Sequence, residues 1–141
     1  MTNPLVSIII PTFNAESTLD KAIDSIVNQK YNPIELLIID GVSTDSTLSI
    51  VQKYQQQYPW IRIFIEKDLG IYDAMNKGID HSNGDWLYYL GADDELLNES
   101  ILLELYHDGY FSQDRVFYGN VRVVGDTSWA KDQAVYDGKF D

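Results

Sequence analysis

Trp86-Leu87-Tyr88-Tyr89-Leu90-Gly91-Ala92-Asp93-Asp94-Glu95 carries an apolar, aromatic run straight into one small turn and three carboxylates. The run reads as a buried strand. Its acidic end then falls where an α/β sheet places ligands, just past the carboxyl end of a strand. Adjacent carboxylates repel one another and need a cation or solvent. Hard divalent cations such as Mg²⁺ or Mn²⁺ suit such a cluster, because they favour carboxylate oxygens and fill their shell with phosphate and water. Taken alone, an Asp-Asp-Glu run reads equally as a solvated turn before a helix.

Working outward, the same grammar repeats. Residues 5–10 form an apolar strand closed by Pro11, and Thr12-Phe13-Asn14 is a short loop whose Asn14 can cap the next helix. Leu19, Ala22, Ile23, Ile26 and Val27 recur at helical spacing. Residues 34–39 form a second apolar strand ending in Asp40-Gly41. A polar loop with Ser43, Thr44 and Asp45 opens a helix reaching about Tyr58, with Leu48, Val51 and Tyr54 inward; Asp45 suits capping better than ligand binding. Residues 60–65 alternate as a third strand, and Ile71, Ala74, Met75, Gly78 and Ile79 line one helical face. Gly78 suits close helix packing, Lys77 points to solvent, and Asp68 and Asp73 either are solvated or line a pocket. A fourth helix starts at Asn98 or Glu99, with Ile101, Leu102, Leu105 and Tyr106 inward. Strand character returns over 115–118 and 120–124.

Strand–helix repetition predicts an α/β fold: a three-layer α/β/α sandwich around a Rossmann-like, mostly parallel sheet. The loops at 12–16, 40–45, 67–70 and 91–95 then share one edge. All four are polar or acidic although apolar strands feed them, and that agreement points to a ligand site.

The totals bound the function. A chain of 141 residues with 45% hydrophobic and 23% charged residues supports one domain over 1–141. The formal charge of −12 and the lack of a basic patch exclude a nucleic-acid partner. There is no cysteine, so disulfides and thiolate metal sites are excluded. The start, Met1-Thr2-Asn3-Pro4, shows no basic n-region, which fits a cytoplasmic protein.

Four segments resemble the inverting nucleotide-sugar glycosyltransferases of family 2, which have the GT-A fold: Val6-Ser7-Ile8-Ile9-Ile10-Pro11-Thr12-Phe13-Asn14, Asp40-Gly41-Val42-Ser43-Thr44-Asp45, Ala74-Met75-Asn76-Lys77-Gly78-Ile79, and Gly84-Asp85 leading into Leu90-Gly91-Ala92-Asp93-Asp94. They stand in the family's order over roughly residues 4 to 125. The resemblance implies a UDP- or GDP-linked sugar donor, a glycan or lipid-linked acceptor and a role in surface polysaccharide assembly. It implies donor contacts at Pro11, Thr12, Phe13, Glu16, Asp40, Asp68, Asn76 and Asp93. In it Asp40 accepts a hydrogen bond from the base, and Asp93 with Asp94 holds Mg²⁺ or Mn²⁺ as a DXD-like motif. It also implies a cytoplasmic protein at the inner face of the membrane, peripherally associated at full length.

The sequence departs from the family pattern at three points. Gly91 replaces the first acidic residue of the metal motif. Met75 stands where an Arg is common, leaving Lys67 or Lys77 to supply positive charge. The acceptor half, with its general base, lies outside these residues, so the chain reads as the donor-binding half and self-association through an exposed sheet edge is expected. The alternatives are a nucleotide-binding fragment without turnover and a nucleotidyltransferase. The latter class carries a Gly-rich, basic phosphate loop that Pro11-Thr12-Phe13-Asn14 lacks.

Overall fold

A computed structural model describes residues 2–112, 116–117, 120–125 and 132–136. The chain divides into two compact units, Met1–Phe111 and Ser112–Asp141. In the first unit β1 (Val6–Thr12), α1 (Leu19–Val27), β2 (Ile34–Asp40), α2 (Thr47–Gln57), β3 (Ile61–Ile65), α3 (Ile71–His81), β4 (Trp86–Tyr89) and α4 (Ile101–His107) follow one another. The four strands form a wholly parallel sheet in the order β3-β2-β1-β4. All four strands therefore present their carboxyl ends at one edge.

Strand alternation builds the two faces. Ile8, Ile10, Leu36 and Ile38 point to one side, where Leu19, Ala22, Ile23 and Ile26 of α1, Val51 of α2 and Leu102 of α4 cover them. Ile9, Leu37 and Ile39 point to the other, under Ala74 of α3. Each of these large aliphatic side chains adds about 1.5–3 kcal/mol on full burial. Gly78 gives α3 its close seat, since a Cβ there would stand 2.5 Å from Ile9 Cγ2. The expected three-layer α/β/α arrangement is the observed one.

Pro11 does not close β1, which continues to Thr12 in register with Asp40. The physical reason is the ladder's direction. Thr12 and its even-numbered neighbours bond toward β2, as Gly41 N–H to the Thr12 carbonyl shows, whereas Ile9 bonds toward β4 through Leu90 N–H. The missing N–H of Pro11 therefore points past the end of β4, where no partner strand remains to lose a bond.

At the opposite edge, buried Glu35 accepts from Ser7 Oγ at 2.5 Å, Asn83 N–H at 2.6 Å and Arg62 Nη2 at 3.1 Å. Arg62 also donates to the His81 carbonyl at 2.7 Å, and the His81 ring stacks on Phe64 with centroids 3.9 Å apart. This network ties the amino ends of three strands to the turn that follows α3. Burial acts to raise the Glu35 pKa, but the hydrogen bonds from Ser7 and Asn83 and the Arg62 charge outweigh it and hold the carboxylate below its usual value.

The fourth helix begins later than expected, at Ile101 after Ser100, and Asn98 Oδ1 instead accepts the Ser100 N–H. In the second unit β5 (Val121–Arg122) pairs antiparallel with β6 (Val135–Tyr136). The strand expected over 115–118 falls largely outside the described residues, and Val116 and Phe117 have no regular structure.

Candidate functional site

The β1 and β2 loops are laced together. Asp40, fully buried, accepts Thr12 Oγ1 at 2.7 Å and Ser43 Oγ at 2.6 Å on Oδ1, and Ser43 N–H at 2.8 Å on Oδ2. Ser43 Oγ in turn accepts the Asn14 N–H, and Thr47 Oγ1 accepts the Ala15 N–H. Asn14 Oδ1 takes the Thr44 N–H at 2.8 Å, so this side chain caps the neighbouring loop and not α1. Thr18 stands at the α1 N-cap without a side-chain cap bond. Asp45 stands one residue before the Ser46 N-cap of α2, so it is not itself the cap expected of it; it accepts the Thr47 N–H at 2.9 Å and also the Glu16 N–H. Glu16 Oε2 answers by accepting the Ser46 N–H at 2.9 Å. These cross-loop bonds fix backbone that would otherwise be free to move at a ligand edge.

The lacing holds two unusual conformations. Asn14 has φ 49° and Val42 has φ 66°. For a β-branched residue the left-handed region costs roughly 1–3 kcal/mol and persists only where surrounding bonds impose it. The result is a shallow platform. Phe13 lies 65% exposed, and Gly41 sits beside it with its Cβ position 3.6 Å from the Phe13 ring. The third loop completes the platform, because Asp68 Oδ2 lies 2.8 Å from that same Cβ position. Any side chain at 41 would displace the carboxylate.

Asp68 Oδ1 accepts the Gly70 N–H at 3.0 Å, while nothing among the described residues donates to Oδ2. Asp40 has the reverse character. Its carboxylate is enclosed and already meets three protein donors, so it shapes the platform from beneath, and the open acceptor at the surface is Asp68. Asn76 does not join the loops. It lies midway along α3 on the exposed face with Tyr72 and Asp80, opposite Ala74 and Gly78. Lys77 does not project freely either: its side chain is 19% exposed and its ammonium is held by oxygens of residues 66, 67 and 73.

The fourth loop carries the acidic pair. Asp94 Oδ2 and Asp93 Oδ1 converge over Gly91, 2.6 and 3.0 Å from the place a Cβ would take there. Gly91 thus makes the room in which the two carboxylates meet. Burial, and then the neighbouring Asp93 charge, push the Asp94 carboxyl above its usual range. Hard oxygen donors whose mutual repulsion a cation would relieve fit Mg²⁺ or Mn²⁺. Among the described residues no group of three or more His, Cys, Asp or Glu side chains could hold a metal. A cation here would complete its shell with ligand oxygens and water.

A parallel α/β sheet that brings the Phe13, Gly41 and Asp68 platform and an acidic loop to one edge has the architecture of a GT-A type domain. The chain belongs to glycosyl transferase family 2, whose pattern matches residues 7–134. It is 43% identical over 104 residues to a PGL/p-HBAD biosynthesis glycosyltransferase of Mycobacterium tuberculosis, covering 72% of this chain and 40% of that protein. It is 36% identical over 111 residues to the GalNAc(5)-diNAcBac-PP-undecaprenol beta-1,3-glucosyltransferase of Campylobacter jejuni, covering 76% of this chain and 36% of that one. The chain thus spans about two fifths of the length of these relatives. Its fold matches the mannosyltransferase PcManGT of Pyrobaculum calidifontis, solved with GDP-Man and Mn2+, with a TM-score of 0.70 at 24% identity over 87% of this chain and 36% of that one.

Proposed function

We propose that this chain is the donor-binding part of an inverting glycosyltransferase that takes a sugar from a UDP- or GDP-linked donor. The observation that carries the reading is the platform of Phe13, Gly41 and Asp68 on the same sheet edge as the converging Asp93 and Asp94. An exposed aromatic ring beside an open acceptor suits a nucleobase, whose face stacks and whose edge donates. Asp68 takes the polar edge of the nucleoside, and Phe13 its face. Pro11 and Thr12 set the floor, with Asp40 and Glu16 holding the loops in place. Asn76, exposed on α3, keeps the donor contact that the family resemblance implies as part of this proposal.

In-line transfer leaves a nucleoside diphosphate whose negative charge grows as the glycosidic bond breaks. A divalent cation bound by Asp93, with Asp94 beside it, would supply Lewis-acid stabilisation of that leaving group. The chain's own carboxylates fix where the diphosphate end lies and keep the sugar's anomeric carbon next to the acidic loop. No residue among those described stands out as the base for the acceptor hydroxyl.

The family match crosses the boundary between the two units, which supports counting residues 1–141 as one donor-binding domain. The names of the relatives, one of them acting on an undecaprenol-linked glycan, support a glycan or lipid-linked acceptor and a role in surface glycan assembly. Among the described residues no helix is long and apolar enough to cross a membrane. Titration calorimetry with UDP and GDP in Mn²⁺ tests the donor reading: saturable binding of at least one is expected, and binding of neither contradicts it.

A further inference from the structure

The third loop carries Asp68, yet it has few contacts of its own. Leu69 is 95% exposed at its tip, and Ile71 and Tyr72 next to it are also exposed. What holds it comes from α3. Lys77 Nζ donates to the Lys67 carbonyl at 2.9 Å, pairs with Asp73 Oδ2 at 3.2 Å and lies 3.6 Å from Glu66 Oε1. The same Asp73 oxygen accepts the Leu69 N–H at 2.9 Å. One ammonium and one carboxylate, a single turn apart on α3, therefore clasp the backbone of the loop on both sides of Asp68.

An ammonium has three hydrogens, and here three oxygens surround it. Desolvation acts to lower the Lys77 pKa, and the Asp73 and Glu66 carboxylates outweigh it, so the group stands above its usual value and stays charged. On the other side, the Leu69 N–H and then Lys77 hold Asp73 below its usual value. The Lys67 carbonyl and Asp73 Oδ2 stand within hydrogen-bond distance of the ammonium and Glu66 Oε1 just beyond it, so the charge is engaged by the loop and by α3.

We propose that Lys77 is a positioning residue: with Asp73 it clasps the 66–70 turn so that Asp68 stands over Gly41 at the nucleoside end of the donor pocket. This rests on the donor-binding reading above. Losing the clasp frees a loop of exposed residues, and the open Asp68 acceptor must then be ordered by the ligand itself, which weakens binding.

The test compares Lys77→Met and Asp73→Asn with the wild-type chain, using UDP, GDP and the matching monophosphates in Mn²⁺. Both variants are expected to lose about tenfold or more in affinity, a change of about 1.4 kcal/mol. The loss should be equal for mono- and diphosphates, because Lys77 acts at the nucleoside end. Lys77→Arg should restore most of the affinity, and amide exchange at Leu69 should speed up in Lys77→Met without an equivalent fall in the thermal midpoint. Wild-type affinity in Lys77→Met overturns the proposal. So does a loss confined to the diphosphates, which would make Lys77 a direct phosphate contact. A wild-type chain that binds none of the four nucleotides overturns the donor reading and this proposal together.

Discussion

Asp40 is enclosed by three protein donors and Asp68 keeps one oxygen open among the described residues, although the family resemblance implies donor contacts at both carboxylates. Both follow apolar strands, and nothing local distinguishes the enclosed carboxylate from the open one. Only the fold brings Thr12 and Ser43 onto Asp40 and turns Asp68 toward Gly41. Replacing Asp40 with Ala leaves three buried donor groups without an acceptor. Each costs about 1–3 kcal/mol, so a loss of about 3 kcal/mol or more is expected in urea unfolding. Asp68→Ala should leave the urea midpoint nearly unchanged and weaken nucleotide binding. If Asp68→Ala were the destabilising variant and Asp40→Ala the neutral one, the division of roles would be wrong. Lys77 was equally hidden, because its three oxygen partners come from a loop ten residues earlier and from its own helix.

At the scale of elements, most of the fold was legible. The strands over 5–10 and 34–39 are apolar apart from the paired Ser7 and Glu35 because both faces of the sheet are covered, and α1 shows its buried stripe at Leu19, Ala22, Ile23 and Ile26. Boundaries set by tertiary bonds were not legible. Pro11 looks like a stop, yet it is tolerated because β4 ends two residues short of it. Asn14 looks like the cap of its own helix, yet it bonds across to Thr44. The α3 seat on β1 depends on Gly78, and Gly78→Val should overpack Ile9 and cost about 1–3 kcal/mol in chemical denaturation. An unchanged midpoint would mean that α3 can lift from the sheet without loss.

The Glu35 network gives the sheet's amino edge a pH dependence with a defined sign. The folded pKa of Glu35 lies below its ordinary value of 4.5. The unfolded chain therefore takes up a proton first as pH falls. The stabilisation is complete above the unfolded value and is lost as pH drops through the folded one. Glu35→Gln should flatten this limb of the stability curve below about pH 4.5 and leave its shape at neutral pH unaltered. A wild-type acid limb in the variant would show that other carboxylates govern it.

For the whole molecule, β4 pairs only with β1 among the described residues, and Leu87 and Tyr89 on it are exposed. A strand edge with no partner among the described residues is a candidate for pairing with another copy. Light scattering of the 141-residue chain should show dimer growing with concentration, and a monomer throughout would contradict this. The candidate site was legible as a set of four polar loops, because the strand–helix order places them on one edge whatever their details. Which carboxylates face outward was not legible, since that depends on bonds between residues about 30 positions apart, such as Asn14 with Thr44 and Glu16 with Ser46.

On the proposed reading, this edge binds a nucleoside diphosphate through a cation held at Asp93. Titration calorimetry of the wild-type chain and of Asp93→Ala, with UDP and GDP in the presence and absence of Mn²⁺, tests it most directly. The account predicts Mn²⁺-dependent binding by the wild type and a loss of about tenfold or more in a still-folded Asp93→Ala. Nucleotide binding that neither Mn²⁺ nor Asp93→Ala alters would contradict it.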